Sequence, residues 1–202
     1  MRRSSLLLIP VLFAVALTAG YFLWRASDNF PALGGNIVTG TAQIGGPFML
    51  IDQNGVRRSS ADFRGHFMLI YFGYSYCPDV CPTTLSLMAD ALDKLGPKAD
   101  AVVPIFITID PERDSPAKLK PYLASFGPRF VGLTADLTTI KKVAALYRVY
   151  LKKEPLEGGN YAMDHSSVIY LMGRDGKFIA FWDDTSIGPD KLAAALRKVI
   201  QG

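Results

Sequence analysis

HFMLIYFGYSYCPDVCPTTL, residues 66–85, passes from an unbroken apolar run through a glycine into a segment holding both cysteines of the 202-residue chain. Residues 66–72 combine β-branched and aromatic side chains between Gly65 and Gly73, the pattern of a strand buried on both faces. Beyond the cysteines, Leu85, Met88, Leu92 and Leu95 recur at helical spacing and Gly96 marks a stop. Pro82 suits the first helical position, where a missing N–H costs nothing. Cys77 and Cys81 are therefore expected between the end of a buried strand and the start of a helix, where α/β sheets commonly display chemistry.

Working outward, PFMLIDQNGVRRS (47–59) predicts two short strands about the turn Gln53-Asn54-Gly55. VVPIFITI (102–109) is a second buried strand, and a helix from about Ser115 to Phe126 carries Pro121 as a candidate kink. FVGL (130–133) is a short strand, and Asp136 or Thr138 caps a helix expected to run through about Tyr150. VIYLM (168–172) and FIAFW (178–182) form a hairpin across Gly173-Arg174-Asp175-Gly176, and a last helix covers Pro189 to Ile200. This order resembles the thioredoxin-like one. It predicts an α/β fold, a mixed sheet with flanking helices and an N-terminal hairpin.

Residues 47–202 make up that domain, and two segments precede it. Leu6 to Trp24 is uncharged and almost wholly apolar, and at ~1.5 Å rise per residue it covers a ~30 Å hydrocarbon core. Residues 1–25 are thus expected to be an N-terminal transmembrane anchor, with Arg2 and Arg3 on the cytoplasmic side. Ala14-Val15-Ala16 offers a signal-peptide cleavage site, but the apolar run continues past it into Tyr21, Phe22 and Trp24, residues favoured at a membrane interface. Residues 26–46, rich in glycine and small polar residues, read as a flexible tether. The charged residues flanking the anchor hold half of the net charge of +4, and nothing in the remainder points to nucleic acid.

Two cysteines in an exported domain suggest a disulfide, but a bridge from Cys77 to Cys81 closes too small a loop to stabilise the fold much. The helix N-terminus favours thiolate over thiol, so both sulfurs are expected to ionise readily. Positions four apart on a helical turn place Cβ atoms ~5–6 Å apart, whereas a disulfide prefers ~3.5–4.5 Å. That spacing permits a bridge and leans toward a metal. The only other soft or borderline side-chain ligands are His66 and His165, so a closed four-ligand zinc site falls one short. Two thiolates and one imidazole suit copper, Cu(I) or Cu(II).

His165 is the stronger candidate, because in the thioredoxin-like order YAMDHSSVIYL (161–171) faces the cysteine segment. His66 begins the first buried strand, ~23 Å from the cysteine end. Asp79 and Asp164 are candidates to orient the imidazole or shape the charge around the ion.

YFGYSYCPDVCPTTL, ITIDPERDSP, VAALYRVY and MDHSSVIYLM together resemble the Sco/SenC family over nearly the whole of the exported domain. The resemblance implies a membrane-anchored, thioredoxin-like copper metallochaperone, with Cys77, Cys81 and His165 as metal ligands and Cys77 and Cys81 also a redox-capable pair. It implies a role in assembling the dinuclear copper centre of cytochrome c oxidase subunit II, with another copper carrier as a candidate donor. The matching run Asp110, Pro111, Glu112, Arg113 and Asp114 is either partner-facing or loop-fixing. The positive stretch before the anchor is too short for a mitochondrial transit peptide, which favours a bacterial inner membrane with the domain in the periplasm.

Two other chemistries compete. A thiol–disulfide oxidoreductase usually carries C-x-x-C, whereas this chain has C-x-x-x-C; reduction of the target's copper-ligating cysteines is the alternative retained. Val80-Cys81-Pro82-Thr83 resembles the peroxiredoxin run, but Pro78 stands where that family places its activating threonine.

Overall fold

The computed structural model describes Thr18, residues 43–184 and residues 186–201. Apart from Thr18, the expected anchor lies outside the described residues, as does most of the expected tether. Among the described residues no helix is long and apolar enough to cross a membrane.

The chain order is β1 (Met49–Asp52), β2 (Arg57–Ser59), β3 (Phe67–Gly73), α1 (Val80–Leu95), β4 (Val102–Thr108), α2 (Pro116–Ala124), β5 (Val131–Thr134), α3 (Leu137–Leu146), β6 (Leu151–Pro155), β7 (Tyr161–His165), β8 (Val168–Met172), β9 (Phe178–Asp183) and α4 (Pro189–Gln201). Seven strands form one sheet in the order β2-β1-β5-β4-β3-β8-β9, while β6 and β7 pair only with each other. β3, β4 and β5 run parallel, and β1, β8 and β9 are antiparallel to their neighbours. The sheet is therefore mixed and flanked by helices, as the alternation of elements predicts.

β3 is buried at all seven positions because β4 and β8 flank it and both of its faces are covered. Tyr71 and its β4 partner Phe106 share one face, where Tyr71 meets Cys81 of α1 and Phe106 meets Tyr122 of α2. Phe72 faces the other way and packs with Tyr170 and with Tyr147, just after α3. At the N-terminal hairpin, Asp52 accepts the N–H groups of Asn54 (2.8 Å) and Val56 (3.0 Å), and Gly55 takes the left-handed conformation that the tight turn requires (φ 80°).

Three expectations change. Pro82 is the third residue of α1, still within the first turn, where its missing N–H has no helical acceptor. α3 ends at Leu146, short of Tyr150, because Tyr147 turns into the core and Arg148 enters the left-handed region (φ 60°). The chain then forms the β6–β7 hairpin, which the sequence reading does not anticipate. Gly45, counted with the tether, donates its N–H to the Leu146 carbonyl at 2.8 Å.

Candidate metal centre

Buried β3 delivers the chain to Gly73, where the absence of a side chain makes room for Cys81. A Cβ at Gly73 would stand 2.9 Å from Cys81 Sγ and 2.9 Å from the Phe106 ring. Cys81 lies in the first turn of α1 and is fully buried, whereas Cys77 precedes the helix and is half-buried. Both are free thiols. Asp79 occupies the N-cap position without making a side-chain cap bond. Cys77 Sγ instead accepts the Cys81 N–H at 3.4 Å, so a sulfur does part of the capping.

That geometry sets the charges of the two sulfurs apart. The hydrogen bond from the Cys81 thiol, with the amides of Cys81 and Asp79 and nearby His165, lowers Cys77 to about 5. Cys81 moves the opposite way, held protonated by its bond to the Cys77 sulfur and by burial. The expectation that both sulfurs ionise readily thus holds for Cys77 and fails for Cys81, because a second thiolate would be buried against the first.

His165 is the last residue of β7 and pairs across the hairpin with Leu151. Its Nδ1 lies 3.0 Å from the Ser166 carbonyl oxygen and its Nε2 3.7 Å from Cys81 Sγ. A carbonyl only accepts, so Nδ1–H donates to it, and in the neutral ring this leaves the Nε2 lone pair facing the sulfur, the tautomer a metal requires. The ring is held edge-on by Tyr71 (centroids 6.3 Å apart) and Tyr74 (6.0 Å). Tyr71 Oη also lies 3.9 Å from Cys81 Sγ and 3.4 Å from Ser167 Oγ. Among the described residues no three His, Cys, Asp or Glu groups are already closed into a metal-holding set. Cys81 and His165 are drawn together and Cys77 is joined to them through Cys81, so gripping an ion requires side-chain adjustment, most readily of half-buried Cys77. The donors, one thiolate, one thiol beside it and a neutral imidazole, suit a soft ion.

The other candidates fall elsewhere. His66 is exposed just before β3, at the end remote from the cysteines. Asp79 is exposed, and Asp164 points away from the side that His165 occupies, since successive residues of a strand alternate. The imidazole is oriented by the Ser166 carbonyl, not by either carboxylate. The acidic run turns inward instead: Asp110 and Asp114 are buried. Asp114 accepts from the Ser75 N–H (2.9 Å), from the Ser75 hydroxyl and from the Thr108 hydroxyl (2.7 Å), anchoring the residue two before Cys77.

Sequence reasoning missed the tyrosine cage, whose aromatic spacing reads as ordinary core, and it missed Asp184. That carboxylate, pushed up by burial, stands 2.6 Å from the Thr84 hydroxyl of α1.

Comparison with known proteins adds kinship to this geometry. A family model described as SCO1/SenC matches residues 37–201. A SCO2-like protein of Rickettsia prowazekii is 37% identical over 183 residues, 88% of this chain and 89% of that one. The structure of Bradyrhizobium japonicum ScoI with copper bound is similar at a TM-score of 0.72 and 48% identity, covering 77% of this chain and 98% of that one. BsSco, in which a disulfide switch was identified and which is described as a member of the Sco family of cytochrome c oxidase assembly proteins, is similar at a TM-score of 0.66 and 25% identity, covering 82% and 98%.

Proposed function

The chain belongs to the SCO1/SenC family, and from that premise we propose that it is a copper metallochaperone serving assembly of cytochrome c oxidase, with the dinuclear copper centre of subunit II as its destination. The observation that carries this reading is the lone pair of His165 Nε2 facing Cys81 Sγ at 3.7 Å, with Cys77 ionised beside it. Cys77, Cys81 and His165 hold the ion. Copper is cargo here: a three-donor set with one half-exposed sulfur lets an acceptor's ligand replace Cys77 first, so the ion leaves by stepwise exchange. Cys81 must lose its proton as the ion enters, so uptake releases protons. Leu6 to Trp24 anchors the domain in a bacterial inner membrane with the site in the periplasm, where another copper carrier supplies the metal.

X-ray absorption on the full-length chain loaded with one equivalent of Cu(I) tests this, with two sulfur neighbours and one nitrogen as the expected result. Copper that is bound without sulfur, or a failure to retain copper, overturns it.

One observation favours a second activity on the same residues. An ionised, half-exposed Cys77 beside a buried, protonated Cys81 is also an attacking and resolving pair. The Cys77 thiolate attacks a partner disulfide to form a mixed disulfide, and Cys81 then gives up its proton and displaces the partner. The partner leaves as a dithiol and this chain is left oxidised. Stoichiometric reduction of the subunit II cysteines by the metal-free protein is the distinguishing measurement.

A further inference from the structure

The β6–β7 hairpin that carries His165 shares no strand pairing with the seven-stranded sheet, so beyond the two-residue link from His165 to β8 its position over the cysteines depends on side-chain contacts. We propose that Arg113 is the positioning residue that pins this hairpin to the cysteine segment and so presents His165 to the sulfurs. The inference rests on reading His165 as a copper ligand.

The Arg113 side chain is only 16% exposed and its Nε pairs with buried Asp110. One side of the guanidinium serves the hairpin: Nη1 donates to the Tyr161 carbonyl (3.0 Å) and reaches Asn160 Oδ1 (3.4 Å), and Cζ lies 3.6 Å from the Tyr161 ring centroid. Asp110 ties the same tyrosine from the other end, accepting its hydroxyl at 2.8 Å. The cation also faces the cysteine segment, 4.8 Å from the Tyr76 ring and 5.8 Å from that of Tyr74. Tyr74 is one of the two rings that stand edge-on to His165. One planar cation thus joins the residue before Cys77, the start of the strand ending in His165, and the wall of the imidazole.

The chemistry is specific to arginine, because lysine keeps the charge toward Asp110 but not the flat face that stacks on Tyr161 or the fork that reaches its carbonyl. Nη2 is buried without a hydrogen-bond partner among the described residues, so the guanidinium is held by Nε, by Nη1 and by the rings it faces.

The test compares full-length wild type, Arg113→Ala, Arg113→Lys and Tyr161→Leu. Tyr161→Leu removes the stack and leaves the ion pair, so it stands in if Arg113→Ala fails to fold. In the metal-free proteins, amide hydrogen exchange over residues 161–165 should accelerate in the variants while β3 and β8 stay protected. In the copper-loaded proteins both sulfur neighbours should persist while the nitrogen neighbour is lost, with copper affinity down ~10- to 100-fold in Arg113→Ala and less in Arg113→Lys. Unchanged exchange in the hairpin, or a nitrogen neighbour retained in both Arg113→Ala and Tyr161→Leu, overturns the proposal. Absence of the nitrogen neighbour from wild type would instead sink the ligand reading, and hairpin exchange would still decide whether Arg113 is the pin.

Discussion

His165 and Cys81, 84 residues apart in sequence, meet with Nε2 3.7 Å from Sγ, and the meeting is aimed by a bond on the far side of the ring, from Nδ1 to the Ser166 carbonyl. The aim matters more than the proximity, because it leaves the unprotonated nitrogen facing the sulfur. His165→Ala should therefore keep a two-sulfur copper site but lose its nitrogen neighbour, with affinity falling ~10- to 100-fold or more. His66→Ala, on an exposed residue remote from the site, should change neither. Competition titration with a Cu(I) chelator measures both. Equal losses in the two variants would contradict the assignment.

The split between the sulfurs makes a second prediction. Cys77, lowered to about 5 by the bond from Cys81, is a thiolate at neutral pH, whereas Cys81 is buried and protonated. Iodoacetamide should label Cys77 alone, at a rate nearly constant from pH 8 down to about 6 and falling through about 5, as peptide mass spectrometry of the metal-free chain would show. The sign for stability follows. A thiol whose folded pKa lies below its unfolded value stabilises above the unfolded value and loses that contribution as pH falls through the folded one. Cys77 thus makes the metal-free fold more stable as pH rises from about 5 toward 9. Cys81, shifted upward, opposes this above about 9. Cys77→Ser should flatten the acid limb.

Much of the frame carrying these sulfurs is legible in the residues themselves. β3 and β4 are dense apolar runs between breakers, and β8 and β9 flank a Gly-Arg-Asp-Gly turn, because strands buried in a sheet must be apolar and their turns must not. The β6–β7 hairpin escapes notice for the converse reason. Leu151–Pro155 is Leu-Lys-Lys-Glu-Pro, mostly exposed, and in β7 only Met163 is buried, too little of a buried face to impose a readable periodicity. Cys77 and Cys81 are marked by chemistry, and His165 by its scarcity. Arg113 looks like one charge in a polar run, because nothing local records that three tyrosines from 74 to 161 converge on it. The opposite charge states of the two sulfurs are hidden for a similar reason: they follow from the burial of Cys81 beneath the Tyr71 and Gly73 region, a tertiary fact.

Gly73 makes that burial possible. A methyl there would sit 2.9 Å from Cys81 Sγ, 2.9 Å from Phe106 Cε2 and 3.0 Å from Tyr71 Cε1, contacts too close to persist. Two of these neighbours are rings fixed in the core, so the thiol is the group that gives way. Gly73→Ala should cost ~1–3 kcal/mol in stability through overpacking. It should also displace Cys81 from His165 and weaken copper binding more than that loss of stability would suggest. Denaturant unfolding and chelator competition on the same preparation separate the two effects. A variant that is destabilised yet binds copper normally would mean that Cys81 can shift without cost.

Asp114 makes the last prediction, since its two oxygens take three donors and it is fully buried. The Ser75 N–H and hydroxyl reach it from the cysteine segment and the Thr108 hydroxyl from the end of β4, so one carboxylate joins the loop bearing Cys77 to the central sheet. Asp114→Asn keeps the shape but loses the charge: its one oxygen can still accept the Ser75 N–H and the Thr108 hydroxyl, while its NH2 turns the Ser75 hydroxyl from donor to acceptor. Exchanging charge-assisted hydrogen bonds for neutral ones at a buried site costs ~1–3 kcal/mol. For a domain of this size each kcal/mol lowers Tm by ~2–4 °C. Ser75→Ala should cost less, because the Ser75 N–H and the Thr108 hydroxyl still bind the carboxylate. If Asp114 anchors the segment, Asp114→Asn should also broaden the pH dependence of Cys77 alkylation and slow it near neutrality, because the amides that stabilise the thiolate are no longer held in place. A fall in Tm with unaltered Cys77 labelling would instead confine Asp114 to the fold.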